Sequence, residues 1–172
     1  ARLVLTSSSV NRLEPVAARC RELGATEVSI LPYDLTCLDG IEALTDKAWN
    51  AMKGIDIVML NAGISQRTNV EDTSMDMVRK IMEINYFAPV AIAKELLPRM
   101  VSAGGGKIAV TTSIAGSPLI KRYRYTIIEI TRAFTMAILN SLKSSFPEFF
   151  ISRLPLARPC TTIAEDCVPT LQ

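Results

Sequence analysis

The feature that most constrains the fold of this chain is an apolar run of strand length that ends in three small residues. It covers residues 55–63 and reads Ile-Asp-Ile-Val-Met-Leu-Asn-Ala-Gly. Because Lys53-Gly54 precedes it and small residues follow it, the run is typical of a strand buried on both faces, as in parallel α/β sheets. Small residues at the carboxyl end of such a strand leave room for a ligand. Taken alone, Asn61-Ala62-Gly63 fits a plain tight turn better.

The rest of the chain alternates between strand and helix patterns. Strands are predicted at residues 2–6, 27–32, 55–60, 107–113 and 149–154, and helices at 11–23, 38–52, 73–100 and within 125–145. Asn11 with Glu14 has the spacing of a capping box for the first helix, and Gly24 is expected to end it. The alternation predicts right-handed crossovers, a parallel α/β sheet and a single domain over residues 1–172.

Composition excludes several classes of function. The chain has 172 residues, a net charge of +2 and, in residues 121–124, only one short basic cluster, so neither a nucleic acid nor a membrane surface is indicated as a partner. It has four separated cysteines and no histidine, which argues against a zinc site, a Cys-His nucleophile and a Ser-His-Asp triad. No apolar stretch reaches bilayer length, so the chain as given is expected to be soluble.

Short motifs along roughly the first two thirds of the chain resemble the ordered signature of the short-chain dehydrogenases/reductases. Each motif is weak alone, but their order and their places at strand ends and in one helix are specific. They are Asp34-Leu35-Thr36, Leu60-Asn61-Ala62-Gly63, Glu83-Ile84-Asn85-Tyr86, and Lys107-Ile108 with Thr112-Ser113-Ile114-Ala115-Gly116. Residues 65–67 and 72–74 are similar to the branch of dehydrogenase/reductase member seven.

The resemblance implies a Rossmann-like, doubly wound parallel sheet and an oxidoreductase. Such an enzyme moves a hydride between NAD(P) and a small apolar carbonyl compound or alcohol. For cofactor binding it implies that Asp34 accepts a hydrogen bond from the adenine amine beside the Leu35 backbone. Asn61, Ala62 and Gly63 would line the adenosine ribose, and Thr161 would contact the nicotinamide. For Asp34, an Asx-type turn is the alternative interpretation.

For catalysis the resemblance implies three residues. Asn85 would bond to backbone and water in a proton relay, Ser113 would hold the substrate oxygen, and Tyr125 would exchange its proton. A satisfied helix Asn and an ordinary strand-end Ser are the alternatives for the first two.

The catalytic tyrosine of the family has a lysine one helical turn later, which favours the phenolate. In this chain, no alignment with the family motif places a tyrosine and a lysine one helical turn apart. Glu129 takes the lysine place after Tyr125, and its carboxylate would raise the pKa of the tyrosine. The other registers pair Tyr123 with Ile127, or Ile128 with Arg132.

Two further departures from the family pattern predict that residues 1–172 are a partial dinucleotide-binding domain with an incomplete site. The Gly-rich turn that holds the cofactor pyrophosphate should precede residue 1, together with the first strand of the sheet. Because that strand would lie at the centre, its absence predicts two half-sheets with unpaired inner edges. The segment at residues 155–162 lacks the family's glycine, and the C-terminal strand is also expected to be missing.

The cofactor and the partners are less clearly indicated. Because residues 6–9 lack the acidic residue that NAD-selective relatives use, NADP is favoured over NAD, with Arg12 as the nearby cation. In the family the helices at 73–100 and 125–145 form a dimer face, so a homo-oligomer is expected. The alternative function is therefore an inactive, truncated relative that associates through those helices. In either case the protein is expected to be cytoplasmic or associated with the endoplasmic reticulum.

Overall fold

The computed structural model describes residues 1–66, 71–112 and 150–155. Every strand and helix predicted within these ranges is present, with ends shifted by a few residues. The elements are β1 (Arg2–Leu5), α1 (Val10–Glu22), β2 (Glu27–Ile30), a 3₁₀ turn (Leu38–Gly40), α2 (Ile41–Met52), β3 (Ile57–Leu60), α3 (Met75–Met82), a π-helical segment (Glu83–Phe87), α4 (Ala88–Ser102), β4 (Lys107–Thr112) and β5 (Phe150–Pro155). The helix predicted within residues 125–145 lies outside the described ranges.

The strands form two separate parallel sheets. In one, β1 pairs with β2 with Leu3 opposite Val28. In the other the order is β3-β4-β5, with Val58 opposite Ile108. This arrangement confirms the predicted parallel α/β class. It also agrees with the predicted half-sheets, since within the described ranges no strand joins β1 to β3.

Strand β3 differs from the expectation of burial on both faces. Val58 and Leu60 are buried, whereas Ile57 and Met59 are 57% and 54% exposed. The prediction of a doubly buried strand was therefore wrong for this chain. Among the elements that the structure describes, α4 covers one face of the sheet, and the side chains of Ile57 and Met59 on the other face are accessible to solvent.

The main core lies between α4 and the β3-β4 face. Its buried members are Val58, Leu60, Ala93, Leu96, Leu97, Met100, Ile108 and Val110, and Trp49 of α2 packs against them. Burial of each large aliphatic side chain stabilises the fold by about 1.5–3 kcal/mol. On the outside, Arg99 and Asp46 form an ion pair of 2.5 Å that connects α4 with α2.

Two helix starts and one helix end show how local sequence sets the elements. Helix α1 begins at Val10 after Ser9, so Asn11 lies inside the helix and the capping box predicted for Asn11 and Glu14 was wrong. Gly24 follows the helix with φ of +92°, which confirms the predicted end. Ser74 caps α3 by accepting a hydrogen bond of 3.3 Å from the Met77 amide.

The helix predicted at residues 73–100 is interrupted in its middle. Its turns around Asn85 are π-helical, between the α-helical stretches α3 and α4. Of the predicted apolar stripe, Ile81, Ala88 and Leu96 are buried, while Ile84 and Ala91 are half-buried. Among the helices that the structure describes, none combines the length and the apolar character that crossing a bilayer requires.

Candidate functional site

The candidate site lies where β2, β3 and β4 end. Strand β2 belongs to one sheet, and β3 and β4 to the other. In each sheet the parallel strands end at one edge, and the loops that follow them collect the side chains that can meet a ligand. Here those loops carry Asp34 and Asn61 with Ala62-Gly63, and Thr111 lies within β4, next to its last residue. Asp34, Asn61, Ala62 and Gly63 are all exposed, and Leu35 is half-buried.

Asp34 closes an Asx-type turn after β2. Its Oδ1 accepts hydrogen bonds from the Thr36 amide at 3.0 Å and from the Thr36 hydroxyl at 2.9 Å, while its backbone carbonyl accepts from Cys37. The Thr36 amide, which contributes most, and the Thr36 hydroxyl stabilise the charged carboxylate, so its pKa lies below the usual value. The positive charge of Lys80 lowers this pKa as well. The turn is present as the alternative interpretation expected, and the carboxylate stays exposed beside it.

Tyr33 fixes the shape of the same loop. Its hydroxyl donates a hydrogen bond to the Cys37 carbonyl, and burial raises the pKa of this phenol. The ring lies against Gly40, where a Cβ atom would meet the tyrosine oxygen and ring carbons. A larger residue at this position would therefore have to displace the Tyr33 ring, which is next to the Asp34 turn in the chain.

Asn61 is held by the neighbouring strand. The hydroxyl of Thr111 donates a hydrogen bond of 2.6 Å to its Oδ1. The register explains the contact, because Leu60 lies opposite Val110 and the next residues of both strands are therefore also side by side. With Oδ1 engaged, the amide nitrogen of Asn61 is the group that can donate to a ligand.

Asn85 fixes the loop that follows β3. Its Oδ1 accepts a hydrogen bond from the Ile64 amide and its Nδ2 donates to the Ile64 carbonyl, each over 2.9 Å. The side chain is 4% exposed and lies in the π-helical segment. Ile64 comes directly after Asn61-Ala62-Gly63, so one buried amide determines the path of the backbone at the candidate site. Single π-helical turns inside α-helices are frequent at functional sites.

The loop after β2 lies beside α3. A shallow groove of about 270 Å³ separates them and is lined by Leu38, Val78, Arg79, Met82, Glu83 and Phe87. Lys80 of α3 is also near enough to act on the Asp34 carboxyl. The loop of Asp34 and the helix that leads into Asn85 are therefore neighbours, on the same side of the fold.

Several of the predicted site residues lie outside the described ranges. These are Ser113, Tyr125 and Thr161, together with the alternative registers at 123–132. Strand β4 ends at Thr112, so Ser113 follows the last described residue of that strand. Their catalytic and nicotinamide-binding roles remain predictions.

Sequence reasoning did not identify two of the contacts at this edge. The signal for Thr111 was available, since a strand-end hydroxyl beside Asn61 follows once β3 and β4 are paired in register. No signal pointed to Ile64, because its amide and carbonyl groups are common to every residue of the chain except proline.

Three comparisons with known proteins agree with one another. The family model of short chain dehydrogenase matches residues 1–126. Dehydrogenase/reductase SDR family member 7 of Homo sapiens is 40% identical over 117 residues, which are 66% of this chain and 34% of that protein. The chain thus spans about a third of the length of this curated relative.

Solved structures show the same fold at low sequence identity. A metagenomic short-chain oxidoreductase in complex with NADP has a TM-score of 0.81 at 21% identity, covering 92% of this chain and 72% of that one. A short chain dehydrogenase/reductase from Burkholderia phymatum in complex with NAD has a TM-score of 0.79 at 20% identity, covering 90% and 56%. The Rossmann-like architecture and the resemblance to the member seven branch are confirmed. Since the family model matches most of this chain, the chain belongs to the short-chain dehydrogenase/reductase family.

Proposed function

We propose that this chain binds NADP(H) at the edge formed by the ends of β2, β3 and β4. We also propose that it belongs to an oxidoreductase acting on a small apolar carbonyl compound or alcohol. The observation that carries the proposal is the double hydrogen bond between Asn85 and Ile64, which fixes the loop after Asn61-Ala62-Gly63. Related folds are seen with NADP in one case and NAD in another, which supports a nicotinamide cofactor.

The residues of this edge fit the adenosine end of such a cofactor. The exposed Asp34 carboxylate can accept from an adenine amine beside the Leu35 backbone. The small, exposed Ala62 and Gly63 leave space for a ribose, to which the Asn61 amide can donate. Thr161 would contact the nicotinamide, and the bound nicotinamide would supply or accept the hydride.

The catalytic roles proposed for this chain are incomplete. Asn85 would organise the proton path, Ser113 would hold the substrate oxygen, and Tyr125 would exchange a proton with it. Because Glu129 takes the place of the expected lysine, the phenolate of Tyr125 would be disfavoured rather than stabilised. We therefore expect turnover to be impaired even where the cofactor binds.

The preference for NADP is supported by one contact. Arg12 of α1 donates a hydrogen bond of 3.2 Å from Nη2 to the Ser8 hydroxyl, which brings its guanidinium to the loop after β1. Residues 6–9 of this loop carry no acidic group that would repel a phosphate. A guanidinium binds a phosphate through two parallel N–H donors, as the 2′-phosphate of NADP would require.

Calorimetric titration of the chain with NADPH and NADH tests this proposal. NADPH should bind the more tightly, and Arg12→Ala should reduce its affinity about tenfold while changing that of NADH little. Arg19→Ala is the matched control, since Arg19 is on the same helix but pairs with Glu22 at 2.9 Å. Tighter binding of NADH than of NADPH would overturn the preference.

A second candidate function is association through helices without catalysis. It is favoured by the exposed apolar side chains on α3 and the π-helical segment, where Met75 is 62% and Phe87 45% exposed. Sedimentation of the chain and of a Met75→Ser, Phe87→Ser double variant tests it. A dimer that the variant converts to monomer would support this function, whereas a monomer in both would contradict it.

A further inference from the structure

We propose that Thr36 is a positioning residue of the adenosine site, which turns the Asp34 carboxylate so that one oxygen is occupied and the other faces the purine. Through this orientation the site selects a 6-aminopurine cofactor against its 6-oxopurine counterpart. The inference rests on the proposed binding of NADP(H) and deepens it, because it names the residue that gives the adenine acceptor its direction. Thr36 acts through Asp34 and does not itself touch the cofactor.

The two donors of Thr36 converge on one atom of Asp34. Oδ1 of the carboxylate accepts a hydrogen bond from the Thr36 amide at 3.0 Å and one from the Thr36 hydroxyl at 2.9 Å. Among the residues that the structure describes, the hydrogen bonds to this carboxylate all go to Oδ1. Since Asp34 is exposed, Oδ2 is the oxygen that can meet a ligand.

The backbone on either side of Asp34 is held by other contacts. The Tyr33 amide donates to the Ser7 carbonyl at 2.9 Å, and the Cys37 amide donates to the Asp34 carbonyl at 3.0 Å. The freedom that remains to Asp34 is rotation of its side chain, and the last torsion of an aspartate is only broadly restrained by itself. The half-buried Thr36 restricts that torsion through its two bonds.

The same contacts keep the outward oxygen an acceptor. The bond from the Thr36 amide, followed by that from its hydroxyl, lowers the pKa of Asp34 from the ordinary 3.8, so the carboxylate is charged at neutral pH. A charged carboxylate only accepts hydrogen bonds. The 6-amino group of adenine donates, whereas a 6-oxo group accepts and would face Oδ2 as one acceptor against another. The orientation therefore translates into a choice between the two purines.

Calorimetric titration with NADPH and with its 6-oxopurine analogue, reduced nicotinamide hypoxanthine dinucleotide phosphate, tests the inference. The wild type should bind NADPH at least about tenfold more tightly than the analogue. Thr36→Val loses the hydroxyl bond, so its NADPH affinity should fall about three- to tenfold while that for the analogue changes little. Thr36→Ser keeps the donor and should bind both like the wild type. In the control Thr26→Val, which removes a hydroxyl bonded to the Ala1 carbonyl at 3.2 Å, neither affinity should change.

Asp34→Asn gives an outcome that a purely structural role of Thr36 does not predict. The Thr36 amide can only donate, so it should draw the oxygen of the new side chain towards itself and leave the NH₂ group facing the purine. That group donates to a 6-oxo group and meets the adenine amine as one donor against another. The preference should therefore reverse, with the analogue bound more tightly than NADPH. Adding Thr36→Val removes one of the two orienting bonds and should make the reversal smaller.

The outcomes separate this inference from the cofactor proposal on which it rests. If the wild type binds NADPH but Thr36→Val loses affinity for both cofactors equally, or for neither, the role of Thr36 is wrong and the cofactor proposal stands. Continued preference of Asp34→Asn for NADPH would overturn the role of Thr36 as well. A wild type that binds neither cofactor would contradict the cofactor proposal itself. Circular dichroism establishes that each variant is folded, and Asp34→Asn decides should Thr36→Val not fold.

Discussion

Asn85 and Ile64 are joined by two hydrogen bonds of 2.9 Å, although they are 21 positions apart in the sequence. The side-chain amide of Asn85 both accepts from the Ile64 N–H group and donates to the Ile64 carbonyl, as a backbone residue of a neighbouring strand can. The contact connects the π-helical segment to the loop after β3, and Asn85 itself is almost entirely buried. The shape of the candidate adenosine site thus depends on one polar side chain inside an apolar helix.

Replacing Asn85 tests that dependence. Asn85→Ala leaves the Ile64 amide and carbonyl without their partner, so the free energy of unfolding should fall by about 1–3 kcal/mol. Urea denaturation measures the change, and Asn50→Ala, at an exposed position of α2, is the control and should change stability by less than about 0.5 kcal/mol. An Asn85→Ala chain as stable as the wild type would contradict the structural role.

The contact between Thr111 and Asn61 can be tested by removing one hydroxyl. Thr111→Val keeps the shape of the side chain but loses the 2.6 Å hydrogen bond, and we expect NADPH affinity to fall about three- to tenfold because Asn61 is no longer oriented. Thr111→Ser retains the donor and should stay close to wild type. If calorimetry finds the serine and valine variants equally affected, the hydrogen bond from the Thr111 hydroxyl to Asn61 is not what sets NADPH affinity.

Asp34 should contribute to the pH dependence of stability. Its pKa in the folded chain lies below the ordinary 3.8, chiefly because the Thr36 amide and hydroxyl bond to the carboxylate. A lowered folded pKa means that the stabilisation is present above about pH 4 and is lost as pH falls through the folded value.

Asp34→Asn removes this titration while keeping an oxygen acceptor for the turn. Thermal unfolding followed from about pH 6 to about pH 2 should therefore show a shallower loss of stability for Asp34→Asn than for the wild type. Asp39→Asn, an exposed aspartate in the next turn, serves as the comparison. Parallel curves for wild type and Asp34→Asn would show that the titration of Asp34 does not contribute to the pH dependence of stability.

Because β3 is buried on one face, substitutions at neighbouring residues of this strand should change the free energy of unfolding by different amounts. Val58→Ala creates a cavity beneath α4 and should reduce the free energy of unfolding by about 2 kcal/mol. Ile57→Ala removes more atoms but from an exposed face, so it should cost less than about 0.5 kcal/mol. Chemical denaturation of the pair gives the comparison, and equal losses would mean that both faces of β3 are covered.

The order of the elements could be predicted because it depends on local patterns. Apolar runs between Gly-rich breaks located the strands, and Gly24 correctly marked the end of α1. The burial of β3 could not be predicted from its composition, since an apolar run does not reveal whether both faces find a covering layer. Ile57 and Met59 are the residues at which that difference is seen.

The sequence proposed residues for the candidate site but did not specify their contacts. Asp34, Asn61 and Asn85 were identified from a family resemblance, which says little about what each side chain touches. The partner of Asn85 is a backbone far away in sequence, and the π-helical turn that holds it depends on tertiary packing. The contact of Thr111 follows from register, which the hydrophobic pattern alone does not specify to the last residue.

Calorimetric titration of the folded chain with NADPH, and with the fragment adenosine 2′,5′-bisphosphate, tests the proposed adenosine site most directly. The fragment carries the part of the cofactor that Asp34, Asn61 and Arg12 are proposed to hold. We expect both ligands to bind saturably, and Asp34→Ala to weaken each of them about tenfold through loss of a charged acceptor. A folded chain that binds neither NADPH nor the fragment would contradict the proposed site.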